Sequence, residues 1–93
     1  MDTAALEKLE RVARRMPVRN LQMERADGTY GEIYFAYGDA DDGSILGVWG
    51  SQGVGHGPIE FTPNTKKKDV RQVLVDHAEG FISLLAEKGF FDG

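Results

Sequence analysis

A stripe of apolar residues at helical spacing runs through the C-terminal third of this 93-residue chain. Side chains three and four residues apart share one helix face, so the stripe predicts an amphipathic helix from about residue 66 to residue 88. Gly89 is well placed as the left-handed residue that ends it. Such a helix needs an apolar surface to cover, which the rest of the chain must supply. The stripe consists of Val70, Val73, Leu74, His77, Phe81, Leu84 and Leu85.

The N-terminal segment predicts a second amphipathic helix, which Pro17 ends because proline does not continue a helix. Its apolar residues recur at the same three- and four-residue spacing, so this helix also presents one face to a core. These residues are Leu6, Leu9, Ala13 and Met16.

Between the helices the sequence predicts four strands. Residues 18–37 form a hairpin, and short strands follow at residues 45–49 and about 59–61. The order predicts an α+β fold, an antiparallel four-stranded meander flanked by N- and C-terminal helices, with both helices packed on one sheet face. A chain of this length is expected to form a single domain, residues 1–93.

The turn of the first hairpin is predicted from its register. A three-residue loop of Ala26, Asp27 and Gly28 places Leu21 opposite Ile33, so that the apolar sets of the two strands share a face. This loop type requires a left-handed residue at its last position, which Gly28 supplies. We therefore predict the three-residue loop.

A glycine-rich stretch joins the third and fourth strands. A phosphate-binding loop needs a lysine where His56 stands and a helix where a strand follows, so we predict a wide connection between strands. His56 is expected to be exposed on this loop, and His77 to be half-buried where helix and sheet meet. Whether the two histidines converge is left open. The glycines are Gly50, Gly53, Gly55 and Gly57.

Charge is segregated along the chain, whose formal net charge is −4. Residues 26–65 contain six acidic residues and no lysine or arginine, which disfavours direct nucleic-acid binding and favours a partner with a basic surface. Three lysines, at 66–68, stand at the predicted start of the last helix, where the helix dipole disfavours cations. Either the helix begins nearer Asp69, or the lysines bind an anion.

The candidate interaction surface is an acidic and aromatic sheet face. If Ile33 and Phe35 face the helices, the alternate side chains of their strand face solvent. The orientation of the third strand is left open, so Trp49 lies either on this face or in the core. Tyrosine and tryptophan are typical anchors of protein interfaces. The candidate residues are Tyr30, Glu32, Tyr34, Asp39, Asp41, Asp42, Trp49 and Glu60.

No catalytic, metal-binding or cofactor-binding constellation is recognisable, and no motif identifies a family. We therefore expect a small acidic, non-enzymatic protein-binding module, an inhibitor or adaptor of the phage or mobile-element type acting on a host protein. The chain has no cysteine and no apolar run of the ~20 residues that a membrane span requires, so a cytoplasmic protein is expected.

Two other functions are weighed. A small domain could bind a phosphate or nucleotide ligand through the glycine loop and the start of the last helix, using Lys66, Lys67, Lys68 and His56. A homodimer could form through an exposed edge strand.

Overall fold

A computed structural model describes residues 3–91 of the chain, with side chains from residue 6 onward. The four strands form one antiparallel sheet in the order β1-β2-β3-β4, so β1 and β4 are its edges. The predicted α+β class and element order are confirmed. The elements are α1 (Thr3–Arg15), β1 (Val18–Gly28), β2 (Gly31–Ala40), β3 (Ile45–Ser51), β4 (Val54–Phe61) and α2 (Lys67–Glu87).

The two helices cover opposite faces of the sheet. Leu9 of α1 shares a core cluster with Tyr34 and Ala36, whereas Leu74 of α2 shares another with Phe35. Successive side chains of a strand point to opposite faces, so these clusters lie on the two sides of the sheet. The prediction that both helices pack on one face is therefore wrong. The protein has three layers, with each helix lying over β2 and β3.

The central strand β2 is buried on both sides. The five side chains of residues 33–37 are each at most 5 % exposed. Ile33, Phe35 and Tyr37 face α2, while Tyr34 and Ala36 face α1. This sheet therefore has no open face over its centre.

The first hairpin turns at Thr29 and Tyr30, because Gly28 pairs with Gly31. The predicted three-residue loop is wrong, and the reason is the second covered face. Leu21 packs in the α1 cluster, so it has no need to meet the residues of β2 that face α2. A β-bulge near this residue shifts the register of β1 and makes that orientation possible.

The third and fourth strands are joined by a two-residue turn instead of a wide connection. Gln52 and Gly53 have φ angles of 53° and 77°, as a type I′ turn requires. Gly50, Gly55 and Gly57 consequently lie inside strands, where they leave parts of the sheet without side chains. The two strands are longer than predicted for the same reason.

The last helix begins at Lys67, not nearer Asp69, and its buried face contains Val70, Leu74, Ala78 and Ile82. Gly89 follows it with φ 73°, which confirms the predicted left-handed end. Of the rest of the apolar stripe, Leu85 is partly buried against the core, whereas the side chains at positions 73, 77, 81 and 84 are exposed and define the candidate site below.

Gly80 of α2 offers a direct test of local helix stability. It is exposed, and a Cβ built on it would meet no atom within 4 Å. Because alanine loses less backbone entropy than glycine in a helix, Gly80→Ala should raise the free energy of unfolding by about 0.5–1 kcal/mol. Urea denaturation measures this difference, and a lower midpoint for the variant would contradict it.

Candidate functional site: the open edge at β4

β4 forms an edge of the sheet, and no other described strand pairs with its outer side. In an antiparallel ladder, every second residue of an edge strand directs its N–H and C=O groups away from its neighbour. Pro58 supplies no N–H for such pairing and a β-bulge opposite Val48 interrupts the ladder with β3, but the two glycines of β4 leave its main chain uncovered by side chains. The strand therefore presents an accessible main chain.

The side of α2 that faces β1 is held to the sheet by polar contacts. Arg71 lies 2.5 Å from the carboxylate of Glu24, which also accepts a hydrogen bond from the Tyr37 hydroxyl. Burial and this acidic neighbour raise the pKa of Tyr37. Nearer the turn, the N–H of Thr29 donates to Glu79 at 2.7 Å. These contacts tie this side of α2 to β1 and to the β1–β2 turn.

The opposite side of α2, beside β4, is apolar and exposed. Val73, Phe81 and Leu84 are 44 %, 37 % and 49 % exposed, and His77 lies between them. We call Val73, His77, Phe81 and Leu84 the α2 flank. At their helical spacing these residues share one side of α2, which carries no acidic or basic residue other than His77 over this length. An exposed apolar patch of this kind is typical of an interaction surface.

His56 of β4 and His77 of α2 are in ring contact. Their ring centroids lie 4.7 Å apart with the planes nearly perpendicular, so the two histidines converge. The indole N–H of Trp49 donates to Nδ1 of His77 at 2.8 Å. Nδ1 of His56 lies 2.9 Å from the carbonyl oxygen of Gly57, to which it can only donate.

These hydrogen bonds assign complementary roles to the two rings. A neutral His77 that accepts at Nδ1 carries its proton on Nε2, whereas a neutral His56 that donates from Nδ1 has an acceptor at Nε2. Beside the β4 edge, the two histidines thus offer one N–H donor and one nitrogen acceptor.

A pocket lies on the other face of the same strand. Its volume is about 200 Å³, and it is bounded by α1 and by the β3–β4 hairpin. Leu9 and Val12 of α1 form one wall, and the backbone of Gly55 and Gly57 forms another. Gly57 leaves space beside the pocket, since a Cβ built there would meet no atom within 4 Å, whereas a Cβ at Gly55 would lie 2.9 Å from the carbonyl oxygen of Trp49.

Two aromatic residues of the predicted interface are in the core. Tyr34 is 5 % exposed beneath α1, and its hydroxyl donates to Glu32 at 2.5 Å. Trp49 is fully buried beneath α2 and packs against Phe81 at a centroid distance of 5.6 Å. The expectation that Tyr34 faces solvent is wrong because α1 covers the face on which it lies. The sequence left Trp49 either on the sheet face or in the core, and the structure places it in the core.

The other predicted interface residues do not form one surface. Tyr30 is 42 % exposed in the turn before β2, whereas Asp39 lies at the far end of β2 and the exposed Asp41 and Asp42 follow it. Nine residues of strand, about 30 Å, separate Tyr30 from Asp39. Glu60 is exposed on β4. The acidic and aromatic residues therefore do not combine as predicted.

The acidic residues at this end have partners within the protein. Asp39 accepts a hydrogen bond from Asn20 at 3.2 Å and lies 3.5 Å from Lys67, and both contacts lower its pKa. Asp42 accepts hydrogen bonds from the hydroxyl and N–H of Ser44, which lower its pKa. These carboxylates stabilise the turns and termini around them.

The contribution of Asp39 to the stability of the fold should depend on pH. Because the pKa of folded Asp39 lies below its ordinary value of 3.8, its ionised form stabilises the fold above that pH, and this contribution is lost as pH falls through the folded pKa. We expect Asp39→Asn to weaken the loss of stability below about pH 4. The control is Asp41→Asn, whose carboxylate is exposed and 3.9 Å from Arg19. Identical acid-unfolding curves for the two variants would contradict the expectation.

The predicted anion-binding residues do not converge. Lys67 contacts Asp39, whereas His56 contacts His77, ten residues further along α2 and therefore about 15 Å from the lysines. Lys66 is the residue before the first turn of α2, and its side chain makes no capping hydrogen bond. A phosphate site built from these residues is not present in this arrangement.

Comparison with protein-family models, curated proteins and solved structures finds no match. Within residues 3–91, neither helix combines the length and apolar character needed to cross a bilayer. In the same part of the chain, no three histidine, cysteine or acidic side chains gather as metal ligands would. The open β4 edge and the α2 flank are thus defined by their geometry alone.

Proposed function

We propose that this protein is a protein-binding module that accepts an extended segment of its partner as an additional strand beside β4. The observation that carries the proposal is the combination of an open edge strand with the exposed α2 flank, which touches that strand through His77 and His56. In strand addition, main-chain hydrogen bonds supply affinity and pockets for alternate side chains supply specificity. Here the β4 edge would supply the main-chain hydrogen bonds, and the α2 flank would supply an apolar surface for alternate side chains.

An added strand would direct every second side chain toward α2. Apolar side chains at those positions would cover Val73, Phe81 and Leu84, removing their exposed surface from water. The Nε2 atoms of His56 and His77 would form hydrogen bonds with polar groups of the segment and fix its position along β4. An inhibitor or adaptor would act by holding such a segment of its target, and a phage or mobile-element role stays a prediction.

Selection from a library of random linear dodecapeptides tests the proposal. We expect binders that protect amides of β4 from hydrogen exchange, and Val73→Lys should weaken them at least about tenfold, because a lysine would replace apolar contact surface. The matched control is Gln72→Lys, which places the same side chain one residue away at an exposed position on the side of α2 toward β1. Thermal unfolding of both variants verifies that they fold.

Three results would overturn the proposal. The first is that no peptide is enriched, and the second is that peptides bind equally to both variants. The third is a stable dimer in sedimentation that Val73→Lys dissociates, because a second copy of the chain would then occupy the β4 edge.

A further inference from the structure

Resting on the proposed strand addition, we infer that the bound segment is acidic and aromatic, with one aromatic side chain seated in the pocket between α1 and β4. The face of β4 toward α1 then contributes specificity that the α2 flank does not. Pocket size, missing side chains and surface charge all support this assignment.

The pocket has the size of an aromatic ring. Its volume of about 200 Å³ exceeds the ~150 Å³ of an apolar protein cavity that holds benzene. Leu9, Val12 and Val48 supply apolar walls, and Gly57 leaves space in which a Cβ would meet no atom within 4 Å. Aromatic side chains of a neighbouring strand characteristically cover glycines of this kind.

A row of basic residues on α1 begins at the pocket. Lys8 lines it, and Arg11 and Arg15 follow on the same side of α1 at three- and four-residue spacing. All three side chains are exposed, and none forms an ion pair with another residue in the described part of the chain. The ion pair of Arg14 with Glu10 is separate from this row. A row of unpaired cations favours an anionic segment, although the whole chain is acidic.

Because side chains alternate between the two faces of a strand, the pocket and the basic residues of α1 predict a sequence pattern for the bound segment. Residues two apart share a face, so acidic residues two positions from the aromatic residue would face Lys8, Arg11 and Arg15. The residues next to the aromatic one would face the α2 flank and should be apolar. The expected segment therefore alternates between acidic or aromatic residues and apolar ones.

A titration with p-cresol, followed by amide resonances, tests the pocket without any peptide. We expect saturable shifts at Val48, Gly55 and Gly57 that are lost in Gly57→Leu, whose side chain would fill the space. Gly57→Ala is the matched control and should retain binding, since its single Cβ occupies little of the volume. Shifts centred elsewhere, or unchanged in Gly57→Leu, would overturn the inference.

The selected peptides provide the second test. Replacing their aromatic residue with alanine should weaken binding at least about tenfold, and the double change Lys8→Glu with Arg11→Glu should weaken it similarly, whereas Arg14→Glu should not. Peptides that bind through β4 without an aromatic residue would overturn this inference and leave the proposed function standing. A failure to select any peptide, with p-cresol still bound in the pocket, would overturn the proposed function and show only that the pocket accepts an aromatic ring.

Discussion

Trp49→Ala is expected to remove about 3–5 kcal/mol from the free energy of unfolding, the cost of deleting a large buried aromatic side chain. Domains of this length have about 5–14 kcal/mol in total, so the variant should be at the limit of folding at 25 °C. The large expected loss follows from the position of Trp49 in the core. Trp49 is fully buried beneath α2, contacts Phe81, and donates its indole N–H to His77, so its removal empties the centre of one layer.

Urea denaturation followed by far-ultraviolet circular dichroism measures this loss, because the variant has no tryptophan fluorescence. The control is Tyr30→Ala, which truncates an aromatic side chain that is 42 % exposed at the β1–β2 turn. Its effect should stay within about 1 kcal/mol, as for most surface substitutions. If the two variants lost equal stability, Trp49 could not occupy the core position described here.

Gly47→Val is the second substitution with a large expected effect, a loss of about 1–3 kcal/mol from overpacking. A Cβ at Gly47 would lie 2.9 Å and 3.1 Å from the two methyl groups of Leu74 and 3.3 Å from the ring of Phe61. The absence of a side chain at this point of β3 lets α2 approach the sheet closely. Any larger residue must push the helix away or distort Leu74.

A double-mutant cycle separates this close approach from other effects of the substitution. Leu74→Ala alone should cost about 2–5 kcal/mol, but Gly47→Val should cost less in its presence because the new side chain then has space. Gly57→Val is the matched control on the neighbouring strand, where a Cβ would meet nothing within 4 Å. Additive losses for Gly47 and Leu74 would show that the two do not compete for volume.

The helices and strands could be predicted because their signals are local. Helical spacing placed α1 and α2, and Pro17 and Gly89 marked ends that the structure confirms. Turns depend on more than local signals, since a loop at residues 26–28 follows only if the apolar residues of both strands share a face. Because both faces of the sheet are covered, the apolar residues need not share a face, and the hairpin turns at Thr29 and Tyr30.

Two signals for the actual arrangement were present in the sequence. Residues 33–37, Ile-Tyr-Phe-Ala-Tyr, are continuously apolar, which is typical of a strand covered on both faces and not of one that alternates between core and solvent. The apolar stripe of α2 is also wider than one buried face of a helix requires. The first signal indicates three layers, and the second indicates the exposed α2 flank.

The sequence alone determined the order of the elements and the apolar face of each helix, because periodicity and turn chemistry act between residues close in the chain. The tertiary structure alone decided which face of the sheet each helix covers, that Tyr34 lies in the core, and that His56 meets His77 beside an open edge. These outcomes depend on contacts between residues distant in sequence, where an apolar residue specifies burial but not the partner that buries it.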